Sequence, residues 1–354
     1  MTSTVNKVIK VIDNIINYIT YAHNHLLSVI IFYFLKQKPF HVHLPSPTNG
    51  YHPAVLITGT SSGIGLDTTL TLVKQGYKVF AAVRKEEDAK KLYAIFKELI
   101  NPKQGNLIPI VMDVTNKQEI QSACTFIRNN LRRETPLIGL INNAALSINL
   151  PIEVASEDAF IDSFNTNYFG LVNVTKKFLP LLREGHGRVI NIGSIDSWNA
   201  PPTMGINSST KAAIRTMTKI WRMETRTMGI HFSLIEPCAI STKRSERKTN
   251  DFRNFKSFSS TSPYYYDEDN DNNISPNTLF NYSNLYKSVG ENFGKFEISM
   301  PTEIVTDAIT HALTSPYPMD TYYVGLDSKM IAALSWILGD RLIEAIESKI
   351  FCNV

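Results

Sequence analysis

Cysteine is scarce in this chain. The three present, Cys124, Cys238 and Cys352, lie far apart without metal-ligand spacing, and pairing two would leave one over. That excludes a disulfide scaffold and a cysteine-held zinc site and points to reduced thiols. Charge is thin as well. Asp, Glu, Lys and Arg make up 19% of residues, and 36 Lys and Arg against 32 Asp and Glu leave +4, spread along the chain without a basic run. Nucleic-acid binding therefore has no electrostatic footprint. A long hydrophobic run is missing too. The apolar stretch from Leu26 to Leu35 is short of the roughly 20 residues that cross a bilayer as a helix, and extending it backwards takes in His23, Asn24 and His25. What remains, 354 residues with 43% hydrophobic side chains, buries a large core and is unlike a collagen, a coiled coil or a disordered chain.

The first fifty residues stand apart from the rest. Val8, Ile9, Val11, Ile12, Ile15, Ile16 and Ile19 recur at helical spacing ahead of that apolar stretch. A full span is a poor fit and an in-plane or shallow anchor a better one, which gives membrane association through residues 5–35. The plainer alternative is an extra amphipathic helix packed on the domain. Lys7 and Lys10 on one side and Lys36 and Lys38 on the other leave the orientation open, and Lys36-Gln37-Lys38-Pro39 is unlike a secretory cleavage site. The expected location is a membrane surface, the endoplasmic reticulum among the candidates, or else the cytoplasm. Pro39, Pro45, Pro47 and Pro53 with Asn49-Gly50 form a linker. Residues 1–50 thus read as leader and linker, and residues 51–354 as the folded domain. His23, His25, His41, His43 and His52 cluster here without acidic or thiol partners, and read as polar linker residues rather than a metal site.

From Ala54 onward short apolar runs alternate with amphipathic stretches: Ala54 to Thr58, Lys78 to Val83, Leu107 to Met112, Leu137 to Asn142, Arg188 to Ile192 and His231 to Ile235. That rhythm predicts an α/β fold, a doubly wound sheet of parallel strands flanked by helices. Between residues 245 and 296 the pattern gives way to Ser, Asn, Asp and Tyr, including the acidic run Asp267 to Asp271, and reads as a low-complexity loop insertion. Beyond it a helix over Val305 to Leu313, a strand over Thr321 to Gly325 and an amphipathic segment from Ile331 to Phe351 are expected. That last segment could cover a substrate cleft or touch a membrane.

Directly after the first strand comes Thr58-Gly59-Thr60-Ser61-Ser62-Gly63-Ile64-Gly65, opening a helix that runs to the stop signal Gly76. Gly59 lets the chain turn off the strand, Gly63 lets the backbone approach a pyrophosphate, and Gly65 lets the helix pack closely on the sheet, with its N-terminus facing the anion. A nucleotide-hydrolase loop would end in Gly-Lys-Ser/Thr, which is missing. The second strand ends in Ala82-Val83-Arg84-Lys85 without an acid for a ribose 2′-hydroxyl. Arg84 and Lys85 suit a 2′-phosphate instead, so NADP(H) is favoured, with NAD(H) the alternative if both are ordinary solvated charges.

On these residues the chain resembles the short-chain dehydrogenase/reductase family, whose glycine signature is Thr-Gly-x-x-x-Gly-x-Gly, and it does so from about Val55 to Ile240 and more loosely from Ile298 to Leu326. The resemblance implies a single Rossmann-type sheet. It also implies that Asp113-Val114 holds the adenine ring, that Asn142-Asn143-Ala144-Ala145 matches an Asn-Asn-Ala-Gly segment, and that Glu236-Pro237-Cys238 through Thr242 matches a Pro-Gly-x-x-x-Thr segment. Cofactor contacts are accordingly expected at Thr58, Gly59, Ser61, Ser62, Gly63, Ile64, Gly65, Arg84, Lys85, Asp113, Val114, Asn143, Ala144, Lys211, Pro237 and Thr242. In the family a Ser, a Tyr and a Lys handle the substrate's hydroxyl proton, with an Asn completing a relay. Ser194, Lys211 and Asn167 match. Four residues before Lys211 the chain carries Asn207, and no tyrosine lies between Tyr168 and Tyr264, so no shift of register supplies one.

A neutral amide orients an oxygen but does not shuttle its proton, and losing a positioned general acid costs about 10² to 10⁴ in rate. Substitutes could be Lys211 acting through water, Ser208, Ser209 or Ser194. Trp198 lines the cleft or fills the core. Two functions follow. The first is a membrane-associated oxidoreductase acting on a lipophilic alcohol or ketone, retinoid-, steroid- or lipid-like; the C-terminal Tyr322 to Lys329 loosely resembles the retinol and hydroxysteroid dehydrogenase branch. The alternative is a catalytically weakened NADP(H)-binding relative serving as sensor or scaffold. The family resemblance also implies a homo-oligomer.

Overall fold

The computed structural model describes residues 2–35, 40–46, 51–99, 105–132, 135–242, 282–289 and 300–351. Seven parallel strands form one sheet: β1 (Ala54–Thr58), β2 (Lys78–Val83), β3 (Asn106–Val111), β4 (Leu137–Asn142), β5 (Arg188–Ile192), β6 (His231–Pro237) and β7 (Thr321–Val324). Their spatial order is β3-β2-β1-β4-β5-β6-β7, with Val55 opposite Val79 on one side of β1 and Gly139 on the other. The four strands β1, β4, β5 and β6 are buried along their whole length. Their apolar residues run continuously rather than alternating because both faces of the sheet are covered.

One face carries α2 (Gly63–Lys74), α3 (Glu86–Leu99) and α9 (Glu303–Thr314), whose Leu72, Leu92 and Ile309 meet Val55, Ile57 and Val79. The other carries α4 (Lys117–Asn130), α6 (Leu171–Glu184) and α7 (Gly205–Thr225), with Ile127 and Phe178 against Leu56 and Phe80. A short α5 (Glu157–Phe164) precedes α6 through a π-helical turn over Asn165–Gly170. The chain steps outward from β1 to β3 and then returns to place β4 on the other side of β1. That reversal opens a crevice at the carboxyl ends of the strands, where α/β sheets bind their ligands.

The leader is helical, as its apolar spacing predicts, while two later segments differ from the sequence expectation. The leader is one continuous helix, α1 (Thr2–Leu35), and it rests on the domain: Asp13 is fully buried and paired with Lys329, Tyr21 stacks on His311 at 3.9 Å, and Asn24 donates to the Tyr317 carbonyl. The insertion at 245–296 lies outside the described residues except for 282–289, which is a helix, α8, rather than loop. Its Leu285, Tyr286 and Val289, at helical spacing, pack on Ile148, Leu150 and Ile206, enough apolar area to order a segment that composition alone describes as polar. The C-terminal amphipathic segment is two helices, α10 (Leu326–Leu338) and α11 (Asp340–Phe351), broken at Gly339, whose φ of +73° suits glycine.

The linker histidines do not hang free. Along the strand edge opposite the crevice, the Arg188 guanidinium donates to the carbonyls of Ala312 and His41, the His41 and His43 rings meet at 4.3 Å, and Phe40 packs edge-on to His231. Burial, aided by these cationic neighbours, pushes His231 down to about 3 and His43 and His311 down to about 4 from the ordinary 6.5. Asp320 lies 3.9 Å from His231, but it is two-thirds exposed and is engaged by Arg222 at 3.2 Å, so burial dominates. Groups whose folded pKa is lowered leave the fold unaffected above the unfolded value and destabilise it as pH falls towards the folded one. Thermal unfolding should therefore show the melting temperature declining already between pH 6.5 and 5, ahead of the carboxylate range. A flat profile there would contradict the neutral histidine cluster.

Candidate active site

The glycine turn forms because three elements crowd it. Gly59 (φ +70°) and Gly63 (φ +58°) take backbone conformations that other residues rarely adopt. A Cβ on Gly59 would come within 2.7 Å of the Ala144 backbone, and one on Gly65 within 2.5 Å of the Asn143 amide nitrogen. Thr58 and Asn143 lock this approach. The Thr58 hydroxyl accepts from the backbone N–H of Asn143 and Ala144, each at 3.0 Å, while the Asn143 side chain donates to the Thr58 and Gly59 carbonyls at 3.0 and 2.9 Å. Asn143 is thus committed to the turn itself. Ser61 and Ser62 are exposed at the start of α2, where Ser62 makes no side-chain cap, and Thr242 sits over Gly63. The uncapped N-terminus, with room kept open by glycine, fits the diphosphate of a dinucleotide.

The other expected cofactor residues line the same carboxyl edge. Arg84 and Lys85, just past β2, are exposed, and Ile64 is partly buried beneath the turn. Asp113 follows β3, but its carboxylate accepts from the Thr115 N–H and hydroxyl at 2.8 and 2.7 Å, so it is held in a local turn, and Val114 is buried beside Gly170. Pro237 ends β6 and is buried.

On the far side of the switch point, Ser194 follows β5 and accepts from the Asp196 N–H at 3.2 Å. Lys211, on α7, donates to the Ile192 carbonyl at 2.8 Å, which ties the helix to the strand that carries Ser194. Asn167, in the π turn, brackets Leu146 by accepting from its N–H at 2.7 Å and donating to its carbonyl at 2.8 Å; it also donates to Thr210, whose hydroxyl donates to the Asn207 carbonyl at 2.7 Å. Asn207 shares its helix face with Lys211 one turn on. It is only 7% exposed. The structure thus gathers Ser194, Lys211, Asn207 and Asn167 at one edge, while Ser209 is exposed and donates to the Gly205 carbonyl.

Sequence reasoning passed over the groups that brace this corner. Glu236 is wholly buried and accepts from Ser197, Trp198 (3.1 Å) and Arg215; Arg215 in turn donates to the Tyr323 hydroxyl at 3.2 Å and lies over the Trp198 ring. These contacts bind the turn after Ser194, the helix of Lys211 and the edge strand β7 into one unit. They also place Trp198 in this network. The available signals were a lone acid inside an apolar strand and an arginine four residues after Lys211. Thr203, between Ser194 and Asn207, holds a φ of +71° with its buried hydroxyl unpartnered, a strained backbone of the kind that collects at functional sites.

Comparison with known proteins bears on the family and the fold. The sequence model of a family described as short chain dehydrogenase matches residues 53–252. Mitochondrial D-beta-hydroxybutyrate dehydrogenase of Mus musculus is 31% identical over 82% of this chain and 83% of its own length. Dehydrogenase/reductase SDR family member 9 of Bos taurus is 27% identical over 78% of this chain and 81% of its own length. A short chain dehydrogenase from Burkholderia cenocepacia, solved in complex with NADP, shares the fold with a TM-score of 0.59 at 23% identity, covering 85% of this chain and 98% of that one.

Removing the Glu236 charge should cost about 2–3 kcal/mol in Glu236→Gln, the low end for breaking a buried pair because the Arg215 side chain is about one-third exposed. Pairing that change with Arg215→Met should recover part of the loss. Chemical denaturation of the two single variants and the double variant reads this, and additive losses would mean that the two groups are not coupled.

Proposed function

The chain belongs to the short-chain dehydrogenase family, and from that premise we propose that it is an NADP(H)-dependent oxidoreductase interconverting a lipophilic alcohol and its ketone. The observation that carries the reading is the glycine turn locked by Thr58 and Asn143 at the mouth of the crevice, with Lys211 and Ser194 across the switch point from it. The preference for the phosphorylated dinucleotide rests on Arg84 and Lys85, exposed at the end of β2 with no acid among them. Support for a lipophilic substrate comes from the exposed apolar side chains of the leader helix α1, among them Ile12, Ile15 and Ile19, which suit a membrane surface where such a substrate dissolves.

When bound, the dinucleotide gives or takes a hydride at its nicotinamide ring. The protein must then hold the substrate oxygen and move its proton. Ser194 donates a hydrogen bond to that oxygen, and the Asn207 amide adds a second without titrating. Lys211 carries the proton, fixed against β5 by its bond to the Ile192 carbonyl. Asn167 holds the Leu146 backbone and, through Thr210, the first turn of α7, so it positions Asn207 without touching substrate. Turnover by this arrangement is slow compared with a site bearing a phenol at position 207.

Two measurements test the reading. Arg84→Ala and Lys85→Ala should each weaken NADPH binding about tenfold while leaving NADH binding little changed, the loss of one charge-assisted bond to phosphate; equal effects on both dinucleotides would contradict the cofactor assignment. Asn207→Tyr should raise the rate of NADPH oxidation with steroid, retinoid or acyl-chain ketones by about 10² or more. Unchanged turnover with full NADPH binding would show that proton transfer does not limit this site.

A further inference from the structure

Helix α1 leaves a broad apolar face uncovered, which is unusual for a helix resting on a water-soluble domain. The side that meets the protein is mixed, with Ile9 and Tyr21 packed on the core beside polar anchors: the buried Asp13 pairs with Lys329, Asn17 donates to Asp13, and Asn24 donates to the Tyr317 carbonyl. Its apolar side faces outward, with Val8, Ile12, Ile15, Ile19, Leu26 and Ile30 all exposed. At 100° per residue these side chains, with Val11 and Tyr18 beside them, fill an arc of about 120°. The stripe runs about 33 Å along the helix at 1.5 Å per residue. An amphipathic face of this length left in water contradicts the ordinary pattern, in which the apolar stripe turns to the core.

The charge on α1 says what covers it. Its one acidic residue is Asp13, already neutralised in the interior, whereas Lys7 stands exposed and Lys10 half-exposed near its start, and Lys36 and Lys38 follow its end in the sequence. A helix with basic ends and an unbroken apolar face complements an anionic lipid surface. The arc is also wider than the two positions in seven that a coiled-coil seam with a second copy would use. No helix among the described residues is long and apolar enough to cross a membrane, so the helix lies in the surface plane. α1 meets α10 through the Asp13–Lys329 pair, and Leu334 and Ile337 of α10 and Leu342 and Ile346 of α11 are exposed as well.

We infer that α1, continued by α10 and α11, is a docking face for an anionic lipid surface, with α1 lying flat in the headgroup region. Resting on the proposed function, a second consequence follows. α10 leaves β7 at the crevice edge, where the Ser328 hydroxyl donates to the Glu236 carbonyl, so the docked face brings the cleft beside the lipid, where a lipophilic substrate is dissolved.

The test uses the full chain and its Ile12→Glu/Ile15→Glu/Ile19→Glu variant, all three changes being on the exposed arc. Flotation with vesicles of phosphatidylcholine mixed with phosphatidylserine should carry the wild type upward, several-fold less so with phosphatidylcholine alone or at high salt. The variant should lose roughly a hundredfold in vesicle binding, a conservative figure for three isoleucines removed from an apolar surface. Wild type that stays with the unbound fraction, or a variant that floats as well as wild type, overturns the proposal. Light scattering that finds a wild-type dimer, split by the variant and indifferent to vesicles, assigns the face to a second copy and overturns it equally. NADPH fluorescence measured on both proteins keeps this result separate from the proposed reaction, since docking does not depend on whether the dinucleotide binds.

Discussion

Everything at the catalytic edge depends on how closely the first βα turn can approach the strand end beside it. The Thr58 hydroxyl and the Asn143 amide make four hydrogen bonds across that gap, and they form only because Gly59 and Gly65 present no Cβ to the Ala144 backbone and the Asn143 amide. Buried bonds of this kind contribute modestly in net free energy, about 1 kcal/mol each, yet leaving one partner unsatisfied costs more. The turn is therefore held in one geometry. It keeps the start of α2 uncapped and open to an anion, and it fixes β4 relative to β1 so that the residues following β5 face the same crevice.

A second constraint governs the chemistry. Asn207 occupies the helix position one turn before Lys211, and two tyrosines among the described residues are committed elsewhere: Tyr286 is fully buried and donates to the Asn149 carbonyl, and Tyr323 accepts from Arg215. The site keeps its scaffolding in full. Glu236 and Arg215 bind the Ser194 turn to α7, and Asn167 and Thr210 bind α7 to the π turn. Burying Glu236 is tolerable only because three donors surround it. The frame around Asn207 and Lys211 is thus complete.

Local features were legible in the sequence and long-range ones were not. The strands Ala54–Thr58, Lys78–Val83, Leu137–Asn142 and Arg188–Ile192 have the boundaries that their apolar runs suggest, since a strand buried on both faces must be apolar throughout and ends where a turn residue intervenes. The glycine turn was legible for the same local reason. The Glu236–Arg215 pair was not, because it joins residues on a strand and a helix whose contact depends on the packed fold. Helix 282–289 was hidden in polar surroundings, although Leu285, Tyr286 and Val289 carry a helical period. The leader's apolar periodicity was plain, but not which side would face the protein; the pairing of Asp13 with Lys329, 316 residues apart, decides that.

The central claim is that the turn at residues 59–65 holds the diphosphate of a nicotinamide dinucleotide, and titration of the purified chain with NADPH, followed by the nicotinamide fluorescence, tests it most directly. The account predicts saturable enhancement with one dinucleotide per chain, reversed by NADP⁺ and abolished in Gly65→Val, whose side chain would strike Asn143 and the Gly59 carbonyl. A wild-type chain that shows no saturation with either NADPH or NADH would contradict it.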